Sequence, residues 1–215
     1  MPTKTFPISG ERISRRGQPP WEIAYLYPSQ GTWTEAEYLE LDQKGGRLIE
    51  LADGCLEVLS MPAMDHQRLV KHLYRKLDDY VTERGLGEVF FAPLPVRLKS
   101  GTFREPDVVF VRFERLVADA RYPQGADLVI EVVSPGEANR RRDLETKRRE
   151  YAAAGVGEYW IVDPEKKQVV VLRLRTKSYR VHGEFGSGDV ATSALLADFQ
   201  IDVKPLFVAA KPHSR

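Results

Sequence analysis

Residues 127–135 read DLVIEVVSP. Leu128, Val129, Ile130, Val132 and Val133 make an apolar run of strand length that stops at Ser134-Pro135. A run apolar on both faces describes a strand covered on both sides. Glu131 interrupts it. A carboxylate in such a strand costs roughly several kcal/mol of desolvation unless a cation, a proton or hydrogen bonds compensate it. The fold must therefore bury a sheet between two layers and bring a partner to Glu131.

At 215 residues the chain suffices for one well-filled core. Residues 1–20 are polar and carry Arg12, Arg15 and Arg16, and read as a mobile arm; 21–215 read as one domain. No apolar stretch approaches membrane-spanning length and the N-terminus lacks a signal-peptide core, so the expectation is a cytoplasmic protein without a membrane partner. Cys55 is the only cysteine, which excludes an intrachain disulfide and a Cys-based zinc site. A net charge of +1 gives no argument for nucleic acid by itself, although local clusters can still meet phosphates.

Periodicity supplies the frame. TEAEYLELDQKGG reads as a helix with a capping box, Thr34 at the N-cap and Glu37 three residues on, ending at Gly45-Gly46. RLIELADGCLEVLS reads as a hairpin turning at Asp53-Gly54. Leu69, Val70, Leu73, Leu77 and Val81 mark a helix over 65–84, capped by Asp65 and stopped by Gly85. EVFFAPLPVRLKSG and EPDVVFVRF read as strands separated by a turn at Gly101. NRRRDLETKRREYAAAG is a helix ending at Gly155, followed by strands EYWIVD and QVVVLRLR around Pro164-Glu165-Lys166, with SYRVHG as a further strand. The order predicts an α/β fold with one mixed sheet flanked by helices, and a crossover from strand 127–133 through helix 139–154 to strand 158–163.

Several chemistries are absent. There is no GxxxxGK[ST] or strand-borne GxGxxG, since GEFGSG at 183–188 has the wrong spacing. The four histidines form no HExxH, and no GxSxG elbow is present. The remaining constellation is acidic. Strand parity puts Asp107 on one face with Val109 and Val111, and Glu131 on one face with Val129 and Val133. If these strands pair, two carboxylates converge. Then one takes a proton or a hard cation such as Mg²⁺ sits between them. The bland alternative is that Asp107 caps a strand end and Glu131 pairs with an arginine. On a helical wheel Leu144, Tyr151 and Gly155 face the sheet, and either Lys147 or Arg148 lies beside that stripe.

EPDVVFV, LVIEVVSP and DLETKRREYAAAGVGEYWIVDP together resemble the Uma-type putative restriction endonuclease family, of the PD-(D/E)XK nuclease superfamily. The likeness runs from about Thr32 to Phe207 and takes in the early hairpin, MPAMDHQRLVKHL and LADFQIDVKPLF. It implies a restriction-endonuclease-like fold and a metal-dependent endonuclease acting on nucleic acid, with DNA as the expected substrate. Asp107 and Glu131 match the acidic motif positions. Val133 stands where the superfamily has lysine, and Lys147 takes that part from the next helix. The resemblance implies Mg²⁺, with Mn²⁺ as a substitute, on Asp107, Glu131 and the carbonyl of Val132. Glu50, His66, Asp143 and Tyr151 are supporting positions, Asp143 and Tyr151 steadying Lys147. Arg140, Arg141 and Arg148 would meet backbone phosphates. A homodimer is the assembly such enzymes commonly form, with Trp33 and FVAAKP as candidate contacts that core packing explains equally well. The alternative function is a catalytically silent nuclease-fold module that binds nucleic acid or a protein partner.

Overall fold

The computed structural model describes residues 28–45 and 48–210, so the arm expected over 1–20 lies outside the described residues. Elements run α1 (Glu35–Gly45), β1 (Ile49–Ala52), β2 (Cys55–Val58), α2 (Met64–Glu83), β3 (Gly87–Phe91), β4 (Val96–Lys99), β5 (Thr102–Arg104), β6 (Val108–Arg112) and β7 (Leu128–Val132). A three-part helix follows: α3 (Glu137–Arg141), a π-helical segment (Arg142–Lys147) and α4 (Arg148–Ala153). The chain continues through β8 (Glu158–Asp163), β9 (Gln168–Arg175), β10 (Ser178–Phe185), β11 (Val190–Thr192) and β12 (Gln200–Asp202) to α5 (Val203–Ala209).

The main sheet has six strands in the order β10-β9-β8-β7-β6-β3. It is antiparallel except for β7 and β8, which run parallel and are joined by the three-part helix. That is the expected crossover. Alternation along β7 divides the core. Leu128, Ile130 and Val132 pack with Leu69, Leu73 and Leu77 of α2, whereas Val129 and Val133 pack with Tyr151 and Ala152 of α4. Both faces are covered, as the apolar run demands.

Local chemistry explains most element ends. The Thr34 N–H donates to Glu37 Oε2 (2.9 Å) and the Glu37 N–H to Thr34 Oγ1 (3.3 Å), a reciprocal capping box. Asp53 and Gly54 both have positive φ, 49° and 73°, as a two-residue hairpin turn requires. Helix α2 begins one residue earlier than expected. Ala63 is its N-cap and makes no side-chain bond, so Asp65 sits in the first turn, where its charge favours the helix dipole. Gly155 is exposed and ends α4 at φ 79° rather than facing the sheet.

One expectation fails. EVFFAPLPVRLKSG is two strands in two sheets: β3 edges the main sheet, while β4 belongs to a separate antiparallel sheet of order β2-β1-β5-β4. Pro93 and Pro95 interrupt the stretch, and a residue without an N–H cannot continue a ladder. This second sheet, with Trp33, Tyr38, Ile49, Leu51 and Phe103 in its core, stands beside the expected mixed sheet, and β11-β12 forms a two-stranded third. Trp33 is thereby buried inside the chain and is not available to a second copy. Among the described residues no helix is long and apolar enough to cross a membrane.

Candidate active site

Strands β6 and β7 pair antiparallel through Val108↔Ile130, and one step beyond that pair Asp107 lies opposite Glu131. The ladder ends there, and Asp107 completes it with its side chain: Oδ2 accepts the Val132 N–H at 2.7 Å. Glu131 is 4 % exposed and points to the helix side of the sheet.

The helix supplies the compensating charge through its irregular turn. The π-helical segment buries Asp143 and Lys147 together, and leaves Arg148 half-exposed. Lys147 Nζ donates to Glu131 Oε1 at 2.8 Å and lies 3.0 Å from Glu50 Oε1. The Tyr151 hydroxyl also donates to Glu131 Oε1, at 2.7 Å. Tyr151 thus steadies the glutamate and not the lysine, contrary to expectation. The Asp143 carbonyl accepts the Tyr159 hydroxyl (3.0 Å), which ties the widened turn to β8. π-Helical turns inserted in helices recur at functional sites, and this one decides which cation enters.

Glu50 enters from β1 in the second sheet and is fully buried. Its Oε2 takes the Arg104 guanidinium at 2.8 Å and its Oε1 the Glu105 N–H at 2.9 Å. Arg104, also fully buried, is bidentate to Glu150 (2.7 and 2.8 Å) and bonds Glu57 (2.8 Å). His66, near the start of α2, places Nε2 3.2 Å from the Val132 carbonyl and 3.4 Å from Asp107 Oδ2. Glu50, Asp107, Glu131, Asp143, Lys147 and Tyr151, with His66 and Val132, thus form one connected neighbourhood drawn from both sheets and two helices.

A cleft of about 320 Å³ opens over it, lined among others by His66, Glu105, Asp107, Glu131, Val132, Asp143 and Lys147. Four acids of the lining, Glu105, Asp107, Glu131 and Asp143, face two permanent cations, Arg142 and Lys147. The charge states follow. Burial pushes Glu131 up to about 8; Lys147 opposes this, and Asp107, Asp143 and Glu50 add to it. Burial likewise raises Asp143 against Lys147 and Arg142. Burial and the nearby acids Asp42 and Glu50 push Glu105 up to about 8. Burial works against the charge of Lys147, but Glu131 and Glu50 outweigh it and hold the ammonium above its ordinary range. Burial would raise Glu50 too, but Lys147 and Arg104 together bring it below the usual carboxylate range. One ammonium shared by several acids leaves surplus negative charge, which a proton or a cation must offset.

The donor set suits a hard cation in one particular way. Among the described residues no group of three His, Cys, Asp or Glu side chains is arranged around an ion. Asp107 Oδ1 and Glu131 Oε2 are carboxylate oxygens that no described hydrogen bond or ion pair engages. Asp143 Oδ1 and both Glu105 oxygens are buried without a hydrogen-bond partner. Two carboxylates, a carbonyl and water are the ligands Mg²⁺ accepts, since it retains several waters.

The three arginines expected to meet phosphates are differently placed. Arg140 is bound to Asp163 (2.6 and 3.2 Å) and Glu165 (3.1 Å), and Arg141 lies 3.6 Å from Glu145. Arg148 has no ion pair among the described residues. Arg104, Glu105 and Arg142 were not anticipated. Glu105 had a signal, its place beside Pro106-Asp107; Arg104, in a three-residue strand, had none.

The fold and the site define an α/β protein of nuclease-like architecture with an acid–lysine cleft. Residues 35–204 match the Uma2 family model, described as putative restriction endonuclease, and the chain belongs to that family. Among solved structures, a putative nuclease belonging to DUF820 from Anabaena variabilis is similar in fold, with a TM-score of 0.68 at 17% identity. The alignment covers 83% of this chain and 99% of that one. None of the curated proteins compared matches the chain.

Proposed function

We propose that the protein is a divalent-metal-dependent endonuclease that hydrolyses phosphodiester bonds in DNA, with Asp107, Glu131 and Lys147 as its catalytic residues. The observation that carries this reading is the contact of Lys147 Nζ with Glu131 Oε1 at 2.8 Å, at the register position facing Asp107. Asp107, Glu131 and the Val132 carbonyl would hold Mg²⁺ or Mn²⁺, which when bound neutralises phosphate charge and acidifies water. Lys147 stays protonated, so its part is electrostatic: it presents an N–H donor to the negative charge that builds on the phosphoryl oxygens, and does not serve as a base. Glu50 is a second anchor for the ammonium, and Tyr151 fixes the glutamate. His66 orients Asp107 and the Val132 carbonyl. Asp143 adds negative charge beside Lys147.

The test is cleavage of supercoiled plasmid and of a single-stranded oligonucleotide in Mg²⁺, Mn²⁺ or EDTA. The wild type should cut with metal only. Asp107→Asn and Glu131→Gln, folded by circular dichroism, should lose about 100-fold or more, the scale of removing one transition-state contact. Wild-type rates from Glu131→Gln, or cutting in EDTA, would refute the assignment. One observation favours the silent-module reading: Lys147 Nζ already rests on two carboxylates, Glu50 and Glu131, as in a purely structural ion network. That reading requires binding without metal-dependent turnover.

A further inference from the structure

Three arginines of the basic helix already lie against carboxylates outside the lysine site: Arg140 on Asp163 and Glu165, Arg141 near Glu145, Arg142 near Asp143. Arg148 and Arg149 make no ion pair among the described residues, and a longer row of uncommitted cations lies on another helix. Arg68, Lys71 and Arg75 follow one another at i, i+3 and i+7 along α2, on one face, with Lys76 beside them. None of them makes an ion pair among the described residues; the one bond recorded is a long one from Arg68 Nη1 to the Ala210 carbonyl, 3.4 Å. Asp79, a turn beyond Arg75, is the acid lining the hollow on that side.

This face lines a groove of about 580 Å³ that also includes Phe91. Pro62 and Gln67 line both this groove and the catalytic cleft, so the one leads into the other. Phe91, the last residue of edge strand β3, is 52 % exposed, and Tyr74 packs edge-on against it at 4.8 Å. Met61 and Met64 stand exposed nearby, at 81 % and 72 %. A stripe of free cations beside an exposed aromatic ring is the arrangement that binds single-stranded nucleic acid. Charge follows the backbone while a base stacks on the ring, and in a duplex the base faces are already occupied.

Resting on the nuclease reading, we infer that a single-stranded stretch of the substrate leaves the cleft along α2, its phosphates on Arg68, Lys71 and Arg75 and a base on Phe91. The active site therefore takes single strands, or duplex ends and junctions that offer one. The test is fluorescence anisotropy of a labelled oligothymidylate 20-mer with the full chain in EDTA, titrated with salt. Arg68→Gln/Lys71→Gln/Arg75→Gln should weaken binding at least tenfold near 0.1 M salt. It should also reduce the log–log salt slope by about 2, since each single-strand phosphate contact contributes about 0.7. Phe91→Ala should weaken binding by about tenfold and leave the slope unchanged. Lys177→Gln/Arg180→Gln, exposed on the far edge of the main sheet, should stay within twofold of wild type, and blunt duplex should compete poorly. Wild-type affinity in both the α2 triple variant and Phe91→Ala, absence of binding by the wild type, loss of binding in Lys177→Gln/Arg180→Gln, or equal competition by duplex would each overturn the inference. The two readings fail separately. A wild type that binds along α2 but never cuts with metal loses the hydrolytic assignment alone; one that cuts the oligonucleotide while the triple variant binds and cuts equally well loses the groove alone.

Discussion

Replacing Arg104 with methionine probes the network beneath the cleft most directly. The guanidinium is fully buried and makes four hydrogen bonds of 2.7–2.8 Å to Glu50, Glu57 and Glu150, joining β5 to β1, β2 and α4. Methionine keeps much of the volume and removes the charge. The three carboxylates will not suffer equally. Glu57 and Glu150 are 36 % and 20 % exposed and can turn toward water, whereas Glu50 is wholly buried and keeps only Lys147 and the Glu105 N–H. Removing one partner of a buried pair costs about 3–5 kcal/mol. With one acid stranded and half-compensated, the low end applies, about 3 kcal/mol. For a chain of this size that lowers Tm by about 6–12 °C. Arg104→Lys should recover part of the loss, because one ammonium cannot span three carboxylates. In a double-mutant cycle with Glu50→Gln, the two changes should couple by about 2 kcal/mol, since the neutral amide no longer needs the guanidinium. Urea denaturation of the four proteins reads this directly. A loss below about 1 kcal/mol in Arg104→Met, or strict additivity with Glu50→Gln, would refute the claim that Arg104 sustains Glu50 as an ionised anchor for Lys147.

Further consequences can be checked with the same measurements. Arg140→Gln should cost about 1–2 kcal/mol at pH 7 by removing the partly buried contact with Asp163. Burial would raise that carboxyl, but Arg140 and the Lys166 and Glu165 N–H groups bring it below its ordinary 3.8. Its stabilisation is therefore complete above 3.8 and lost as pH falls through the folded value, so wild type and variant should converge in acid. DNA affinity should be unchanged by Arg140→Gln; a drop in affinity without a loss of stability would restore its role as a phosphate ligand. Glu158→Gln should destabilise by about 3 kcal/mol. Glu158 is fully buried and accepts from Trp160 Nε1, Ser193 Oγ and the Ala194 and Leu195 N–H groups, and an amide would turn a donor toward donors. Thermal melts followed by tryptophan fluorescence test this, and an unchanged Tm contradicts it. Gly87→Ala should cost about 2 kcal/mol or more by pushing edge strand β3 off β6, because a Cβ there meets the Val111 carbonyl oxygen at 2.1 Å. A variant as stable as wild type in urea would show that the edge yields.

Much of the site could be read before any coordinates because strand parity is local. Asp107 and Glu131 each follow from counting by two along a short apolar run, and the structure puts both at the same end of the β6–β7 ladder. The choice between Lys147 and Arg148 could not be read, because a regular wheel places them symmetrically and the π-helical turn breaks the tie. Glu50 is marked as a supporting position by the resemblance alone, because hairpin alternation does not tell a buried face from an exposed one. Its burial depends on a second sheet closing over it, and reading EVFFAPLPVRLKSG as one strand hides that sheet. Which arginines are paired depends in the same way on side chains 20 or more positions apart, as Asp163 shows for Arg140.

Sequence alone thus determined the alternation of β7, the buried carboxylate within it and the need for a compensating cation, because burial and charge act on each residue wherever the chain goes. The tertiary structure decided which cation answers, that Glu50 and Arg104 stand behind it, and that free positive charge lies on α2. Those outcomes depend on distances between segments remote in the chain, and electrostatic energy is set by distance and burial, not by composition.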